Sequence, residues 1–313
     1  MRIAMLGATS QIAKDLILSI VKAGHGEKLF LFARRPKAVD AWLNVSGLSG
    51  CFPVADFSAF ARADYDAIIN FVGVGNPAQA AAMGSAIFDI TLQYDELVLE
   101  YLRRNPACRY LFLSSGAAYG GIFDEPTQRT SKAAISLNDL PQQEWYGVAK
   151  LHAECRHRSL ADRSIFDIRV FNYFSRTQDL AARFLLTDII RSIRDGAVLQ
   201  TSPDYIVRDY LHPADFHSLV RVLLSSPQAN VAVDCYTLAP IDKSTLLEGM
   251  QREFGLRYEI TEAPITINAT GTKSYYYSLN DRAADFGYAP TRTSVAGVME
   301  ETRAMLEELR VPK

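Results

Sequence analysis

The chain of 313 residues has only 4 cysteines, and Cys51, Cys108, Cys155 and Cys235 are far apart in sequence. That spacing offers neither paired metal ligands nor the disulfide framework of a small secreted domain, and it suggests reduced thiols in a cytoplasm. No stretch approaches the roughly 18 uninterrupted apolar residues that read as a membrane span. Excess charge of one sign is lacking too: 33 lysines and arginines face 35 aspartates and glutamates, a net charge of -2. Such a balance exerts no long-range pull on nucleic acid or an anionic membrane, so any anionic ligand must be met by local side chains. Repeats and low-complexity tracts are absent. The N-terminus enters a strand pattern at once, Arg2-Ile3-Ala4-Met5-Leu6, without a charged leader or cleavage site.

What is present is a regular alternation. Short apolar runs at residues 2–6, 28–33, 51–55, 67–74, 110–115 and 165–173 read as strands, and 12–22 and 87–104 read as helices between them. Alternation of this kind predicts an α/β fold with parallel strands and crossover helices on both faces, whose ligands bind beyond the carboxyl ends of the strands. After about Ser175 the rhythm changes, with helical stretches near 183–194 and 244–254 and a loop at 201–208. The expected division is a nucleotide-binding domain over 1–175, with return elements near 209–238, and a smaller substrate-binding lobe mainly over 176–313.

The chemistry-bearing residues fall at the expected strand ends. Tyr146 and Lys150 stand four apart in Glu144-Trp145-Tyr146-Gly147-Val148-Ala149-Lys150. On a helix they share a face, so the ammonium could favour the phenolate. Moving a tyrosine from about pH 10 toward 7 needs roughly 4 kcal/mol, which a lysine and an oxidised nicotinamide ring could supply together. Ser115, ending the fifth run, offers a hydroxyl to hold the oxygen that exchanges the proton. By itself the pair also fits a solvated helix face, because with 15 tyrosines roughly 0.4 such pairs arise by chance. Its position in the chain argues for the chemistry.

Gly7-Ala8-Thr9-Ser10-Gln11-Ile12-Ala13 follows the first strand and opens the first helix, where a dinucleotide pyrophosphate would meet free backbone amides and the helix dipole. Only Gly7 is kept of the usual glycines, and a plain strand-to-helix turn is the alternative. Arg34 and Arg35 end the second strand, where a carboxylate would suit a ribose 2′-hydroxyl and an arginine suits a 2′-phosphate; NADP(H) is therefore favoured over NAD(H). The alternative is a solvated strand end. Asp56, before Phe57, is placed to accept from an adenine amino group.

Together these residues resemble an extended short-chain dehydrogenase/reductase of the NAD(P)-dependent nucleotide-sugar epimerase, dehydratase and reductase branch. The resemblance rests on Ser114-Ser115-Gly116-Ala117-Ala118-Tyr119-Gly120, Tyr146 with Lys150, Arg169-Val170-Phe171-Asn172, and Arg208-Asp209-Tyr210-Leu211-His212-Pro213-Ala214-Asp215. The closing run from Ser278-Leu279-Asn280-Asp281-Arg282-Ala283 to Phe286-Gly287-Tyr288-Ala289-Pro290 is similar to that family as well. It implies a Rossmann-type doubly wound parallel sheet. In it Ser115 polarises the reacting oxygen, Tyr146 transfers the proton, Lys150 binds the nicotinamide ribose, and Asn172 and Arg208 contact a substrate diphosphate. A salt bridge from Arg208 to Asp209 or Asp215 is the competing role, and His212 and Asp215 read as structural.

Departures from the family narrow the reaction. Ser115-Gly116-Ala117 replaces the Thr-Asp-Glu of sugar-nucleotide 4,6-dehydratases, and Ala117 also replaces the cysteine of reductases that epimerise at C3 and C5. Gly73-Val74-Gly75 stands where the family has a small-residue alanine pair. The expected function is reduction of a nucleotide-linked 4-keto sugar, with a 4-epimerase that retains its cofactor as the alternative and a non-catalytic NADP(H)-sensing protein as the second. A homodimer is the assembly considered, and Arg183, Tyr205 and the run Tyr275-Tyr276-Tyr277 are expected either to select the substrate or to pack the lobe interface.

Overall fold

The computed structural model describes residues 1–74, 80, 82–121, 123–262 and 273–310. Its elements run β1 (Arg2–Leu6), α1 (Gln11–Ala23), β2 (Lys28–Phe32), α2 (Pro36–Val45), β3 (Val54–Ala55), β4 (Ala67–Asn70), α3 (Ala86–Arg104), β5 (Arg109–Ser115), α4 (Trp145–Arg158), β6 (Ile165–Val170) and β7 (Asn172–Tyr173). There follow α5 (Leu185–Asp195), β8 (Val198–Thr201), β9 (Val207–Arg208), β10 (Tyr210–Leu211), α6 (Pro213–Ser225), β11 (Asn230–Asp234), β12 (Ile241–Asp242), α7 (Lys243–Phe254), β13 (Arg257–Ile260), β14 (Tyr275–Tyr276) and α8 (Ser294–Arg310).

Seven strands form one sheet in the order β3-β2-β1-β4-β5-β6-β11, and every pairing within it is parallel. Parallel strands need crossovers and are covered on both faces, which is why β1 is buried from Ile3 to Leu6. Its period of two sends Ile3 and Met5 into one apolar layer with Leu16 and Ile17 of α1 and Phe216 and Leu219 of α6. Ala4 and Leu6 face the other layer, with Val98 and Leu102 of α3 and Ala153 of α4. Each fully buried leucine or isoleucine there contributes about 1.5–3 kcal/mol. This is the Rossmann-type doubly wound sheet expected from the alternation.

β2 stops one residue short of its apolar run, and three other strands are shorter by three residues or more. The third begins only at Val54. The fourth ends at Asn70, whose side-chain oxygen accepts from the Val72 amide at 2.9 Å and turns the chain out of the sheet. The sixth ends at Val170, because Asn172 and Tyr173 leave it to pair with Tyr210 and Leu211. A further apolar cluster lies in the second half, where Leu186, Ile189 and Ile190 of α5 pack with Leu246, Leu247 and Met250 of α7 and Val298 and Met299 of α8. There β9 is the centre of a three-stranded sheet, flanked by β12 and β14.

Candidate active site

The crossovers reverse between β1 and β4, and Gly7 sits at that switch point. Its φ is +79°, and a Cβ there would come within 2.9 Å of the Phe71 carbonyl carbon and the Val72 amide, so only glycine lets the two strand ends close. The amides of Gly7 and Ala8 donate to the Phe32 carbonyl at 2.8 and 3.1 Å, which holds the loop against the end of β2. Ser10 stands at the N-cap of α1 without a side-chain capping bond. The first amides of that helix therefore have no intrahelical acceptor, the arrangement that suits a phosphate. Gln11 is already engaged: its amide nitrogen donates to the Ser175 hydroxyl at 2.8 Å, and Ser175 donates to the buried Asp15 at 2.7 Å.

Arg34 and Arg35 follow the end of β2, beside the Gly7 loop. Both are exposed, and neither takes part in an ion pair among the described residues. Asp56 caps a 3-10 turn by accepting from the Ser58 amide at 2.8 Å and its hydroxyl at 2.5 Å, both at Oδ1. Phe57 packs on Tyr94 with ring centroids 4.5 Å apart. The residues present fit a dinucleotide at the switch point, with helix N-terminal amides suited to a pyrophosphate.

Tyr146 and Lys150 lie on α4, as the spacing predicts, and this helix meets the end of β5 at van der Waals distance. A Cβ on Gly147 would stand 2.3 Å from the Ala117 carbonyl oxygen, so its absence is what lets Tyr146 reach Ser115. The Ser115 hydroxyl stands near enough to the Tyr146 phenol to favour its ionised form. Burial pushes that phenol well above its ordinary value, with the neighbouring Tyr276 acting in the same direction and the Ser115 hydroxyl opposing. Lys150 differs from the expected arrangement. Its ammonium donates to the Leu113 carbonyl at 2.7 Å and lies 5.9 Å from the centre of the Tyr146 ring, so it does not pair directly with the phenol oxygen. Burial lowers its pKa to about 8, against the pull of Asp95, Glu154 and Asp167. Gly73 faces it: a Cβ there would lie 3.3 Å from Nζ. Gly75 lies outside the described residues.

Behind Ser115 the remaining motifs form one buried network. Ser114 donates to Glu154 at 2.5 Å, and Arg169 grips the same carboxylate through Nε at 3.0 and 3.1 Å and through Nη2 at 2.5 Å. Tyr119 and Ser278 both donate to Asp234 at the end of β11, at 2.9 and 2.6 Å, and Asn280 donates to the Tyr119 hydroxyl at 3.3 Å. Removing one member of such a network typically costs about 3–5 kcal/mol, because it strands a buried charge. Its effect here is to tie β5, β6, β11, α4 and the closing segment into one rigid support for Ser115 and Tyr146.

Asn172 and Arg208 meet around Tyr276. The Asn172 amide donates to the backbone carbonyls of Asp209 and Tyr276 at 3.4 and 3.1 Å. Arg208 is 3 % exposed, donates to the Val207 carbonyl at 2.8 Å and has its guanidinium carbon 5.9 Å from the centre of the Tyr276 ring. The two carboxylates that could compete for it are otherwise satisfied. Asp209 accepts from Thr237 and Ser294, and Asp215 from Thr291 and the Arg292 amide. His212 caps α6 by accepting from the Ala214 amide at 3.1 Å, a structural role as read from the sequence.

Residues 3–239 match the model of the NAD dependent epimerase/dehydratase family. The chain belongs to this family. It has the fold of a UDP-glucose 4-epimerase from Thermotoga maritima, with a TM-score of 0.80 at 14 % identity over 99 % of this chain and 100 % of that one. It is similar also to RMD from Pseudomonas aeruginosa complexed with NADPH (TM-score 0.73, 18 % identity, 99 % and 100 % covered). A third similar structure is a dTDP-glucose 4,6-dehydratase from Bacillus anthracis in complex with NAD (TM-score 0.76, 14 % identity, 99 % and 97 % covered). No curated protein matches the chain. The family is one of NAD-dependent epimerases and dehydratases, and no helix among the described residues is long and apolar enough to cross a membrane.

Within this family frame, the second-half residues divide. Arg183 is mostly exposed and lies 3.5 Å from Asp188, and Tyr205 is 60 % exposed with its ring edge-on to Tyr275. Tyr276 alone of the tyrosine run reaches Ser115, its hydroxyl 3.3 Å from the serine oxygen. Strand periodicity is the signal that separates it from Tyr275 and Tyr277, because neighbours on a strand point to opposite faces.

Proposed function

We propose that this protein is an NADPH-dependent reductase of a nucleotide-linked 4-keto sugar. The observation that carries the reading is the close approach of α4 to the turn after Ser115 at Gly147, which brings Tyr146 to the carboxyl end of β5 with Lys150 one helical turn away. A phenol can donate the proton that reduction of a carbonyl requires, and Arg34 and Arg35 favour NADPH, the cofactor consumed in net reduction. Ser115 and Tyr146 hold the carbonyl oxygen, and Tyr146 gives it a proton. Bound NADPH supplies the hydride. Lys150 holds the nicotinamide ribose. Gly7, Thr9, Ser10, Gln11 and Ile12 receive the pyrophosphate, Arg34 and Arg35 the 2′-phosphate, and Asp56 and Phe57 the adenine. Asn172 and Arg208 take the substrate diphosphate, a guanidinium being suited to grip phosphate oxygens in pairs. The second half, mainly 176–313 apart from the return elements near 209–238 that join the large sheet, serves as the substrate-binding lobe over the domain formed by 1–175.

A 4-epimerase that keeps its cofactor is the second reading, favoured by the likeness to the Thermotoga epimerase with UDP-glucose. Retention of both Tyr146 and Lys150 speaks against a sensor without catalysis. The wide spacing of the four cysteines supports a cytoplasmic location, and a homodimer is the proposed assembly. The test is a panel of UDP-, dTDP-, CDP- and GDP-linked 4-keto sugars, followed by cofactor absorbance and product analysis. Net consumption of NADPH is the expected result. Interconversion of 4-epimers without net oxidation selects the epimerase, and NADPH binding without turnover of any sugar selects the sensor.

A further inference from the structure

We propose that Tyr276 is a positioning residue for the reaction, one that aims the Ser115 hydroxyl at the substrate oxygen. The inference rests on the reading of Ser115 as the group that polarises that oxygen. Tyr276 is 5 % exposed and its ring is fixed on two sides, by Phe123 with centroids 4.9 Å apart and by Phe171 at 5.2 Å. Its backbone is fixed as well, because it pairs in register with Arg208 and its carbonyl accepts from Asn172 at 3.1 Å. The phenol is therefore held against Ser115 by the same residues proposed to receive the diphosphate.

A serine hydroxyl has one hydrogen and two acceptor sites. The Ala117 amide donates to Ser115 Oγ at 3.2 Å and occupies one of these sites. The Tyr276 hydroxyl lies 3.3 Å from the same oxygen; a phenol is more acidic than an aliphatic alcohol and so is the better donor of the two, and its hydrogen turns toward Ser115. With both acceptor sites of Ser115 filled, its single hydrogen points outward, to the third neighbour. That neighbour is the Tyr146 phenol in the free protein and the reacting oxygen when substrate is bound. Accepting two bonds also polarises the Ser115 hydroxyl and strengthens the bond that it donates. No proton leaves Tyr276 in this arrangement; Tyr146 remains the group that transfers it.

The test compares four proteins: native, Tyr276→Phe, Ser115→Ala and the double variant. Phenylalanine keeps the ring and its packing and removes only the hydroxyl. Each protein is assayed for kcat and KM on a carbonyl compound that the native enzyme reduces, nucleotide-linked or not, with NADPH affinity measured by calorimetry. In the native background Tyr276→Phe is expected to lower kcat roughly threefold to tenfold, the worth of one hydrogen bond, with KM and NADPH affinity near native. In the Ser115→Ala background the same change is expected to alter kcat less than twofold, because the oxygen through which it acts is gone. Equal losses in both backgrounds, or none in the native background, overturn the proposal. Failure of the nucleotide-sugar reading is distinguishable, since it appears as a native enzyme that reduces only carbonyl compounds lacking a nucleotide, and the four-way comparison is still made on those. A native enzyme that reduces no carbonyl compound removes both.

Discussion

Gly147→Ala separates a catalytic contact from an ordinary helix face. Alanine at a helical position is usually worth up to about 1 kcal/mol over glycine, so on an open face the substitution stabilises. Here the new methyl would lie 2.3 Å from the Ala117 carbonyl oxygen and 3.0 Å from its carbon. That is short of ordinary contact by about 1 Å, and because the neighbour is backbone it cannot rotate away. Either α4 or the turn after Ser115 must move by about that amount. Overpacking costs about 1–3 kcal/mol, so the net loss of stability is expected at about 0–2 kcal/mol, a few degrees in melting temperature for a chain of this size. The effect on catalysis is larger. A misplacement of about 1 Å between reacting groups costs on the order of 100-fold, and Tyr146 and Ser115 lie on opposite sides of the gap that opens. The expected variant is folded, binds NADPH, and has kcat about 100-fold below native. A variant within threefold of native kcat, or one more stable than native by the full helix-propensity gain, would refute the close approach on which the site depends.

Tyr146→Phe is expected to lower turnover at least 100-fold while calorimetry shows nearly unchanged NADPH affinity, because one proton donor and almost no shape is removed; retention of more than about a tenth of the native rate would sink the assignment. The Arg34→Ala, Arg35→Ala double variant is expected to lose NADPH affinity selectively, and equal native affinities for NADH and NADPH would show that the two guanidinium groups do not read a 2′-phosphate. His157 lies fully buried between Asp167 and Asp95, 2.6 and 2.7 Å away, and these carboxylates outweigh its burial to raise its pKa to about 9. A raised folded-state pKa contributes stability that is fully present below about pH 6.5 and lost as the pH rises through about 9. Denaturant unfolding at pH 6 and 9.5 should therefore show an alkaline decline that His157→Gln flattens, and an equal decline in both proteins would place the charge elsewhere.

Much of this site was legible in the sequence because its parts are local. The strand-turn-helix at Gly7, the serine pair ending β5 and the helical spacing of Tyr146 and Lys150 each depend on neighbours within a few residues. Strand ends were less legible: Asn70 turns the chain with its own side chain, and Asn172 leaves the sheet for a partner 38 positions later, Tyr210. His157 gave no signal, since its partner Asp95 is 62 residues away in sequence. Tyr276 was visible only as one of three adjacent tyrosines. Its selection depends on the pairing of β14 with β9, a long-range contact that no local pattern specifies.

The most direct test of the central claim, that Ser115 and Tyr146 serve hydride transfer to a nucleotide-linked keto sugar, is an isotope transfer. The native protein and Tyr146→Phe are incubated with NADPH deuterated in turn on each face of the nicotinamide C4, together with the 4-keto sugars of the panel, and the products are weighed by mass spectrometry. The expected result is one deuterium on the sugar carbon per NADPH consumed, from one face only, with the native protein and almost none with the variant. Label that never reaches a sugar, or reaches it equally well without the Tyr146 hydroxyl, would contradict the assignment.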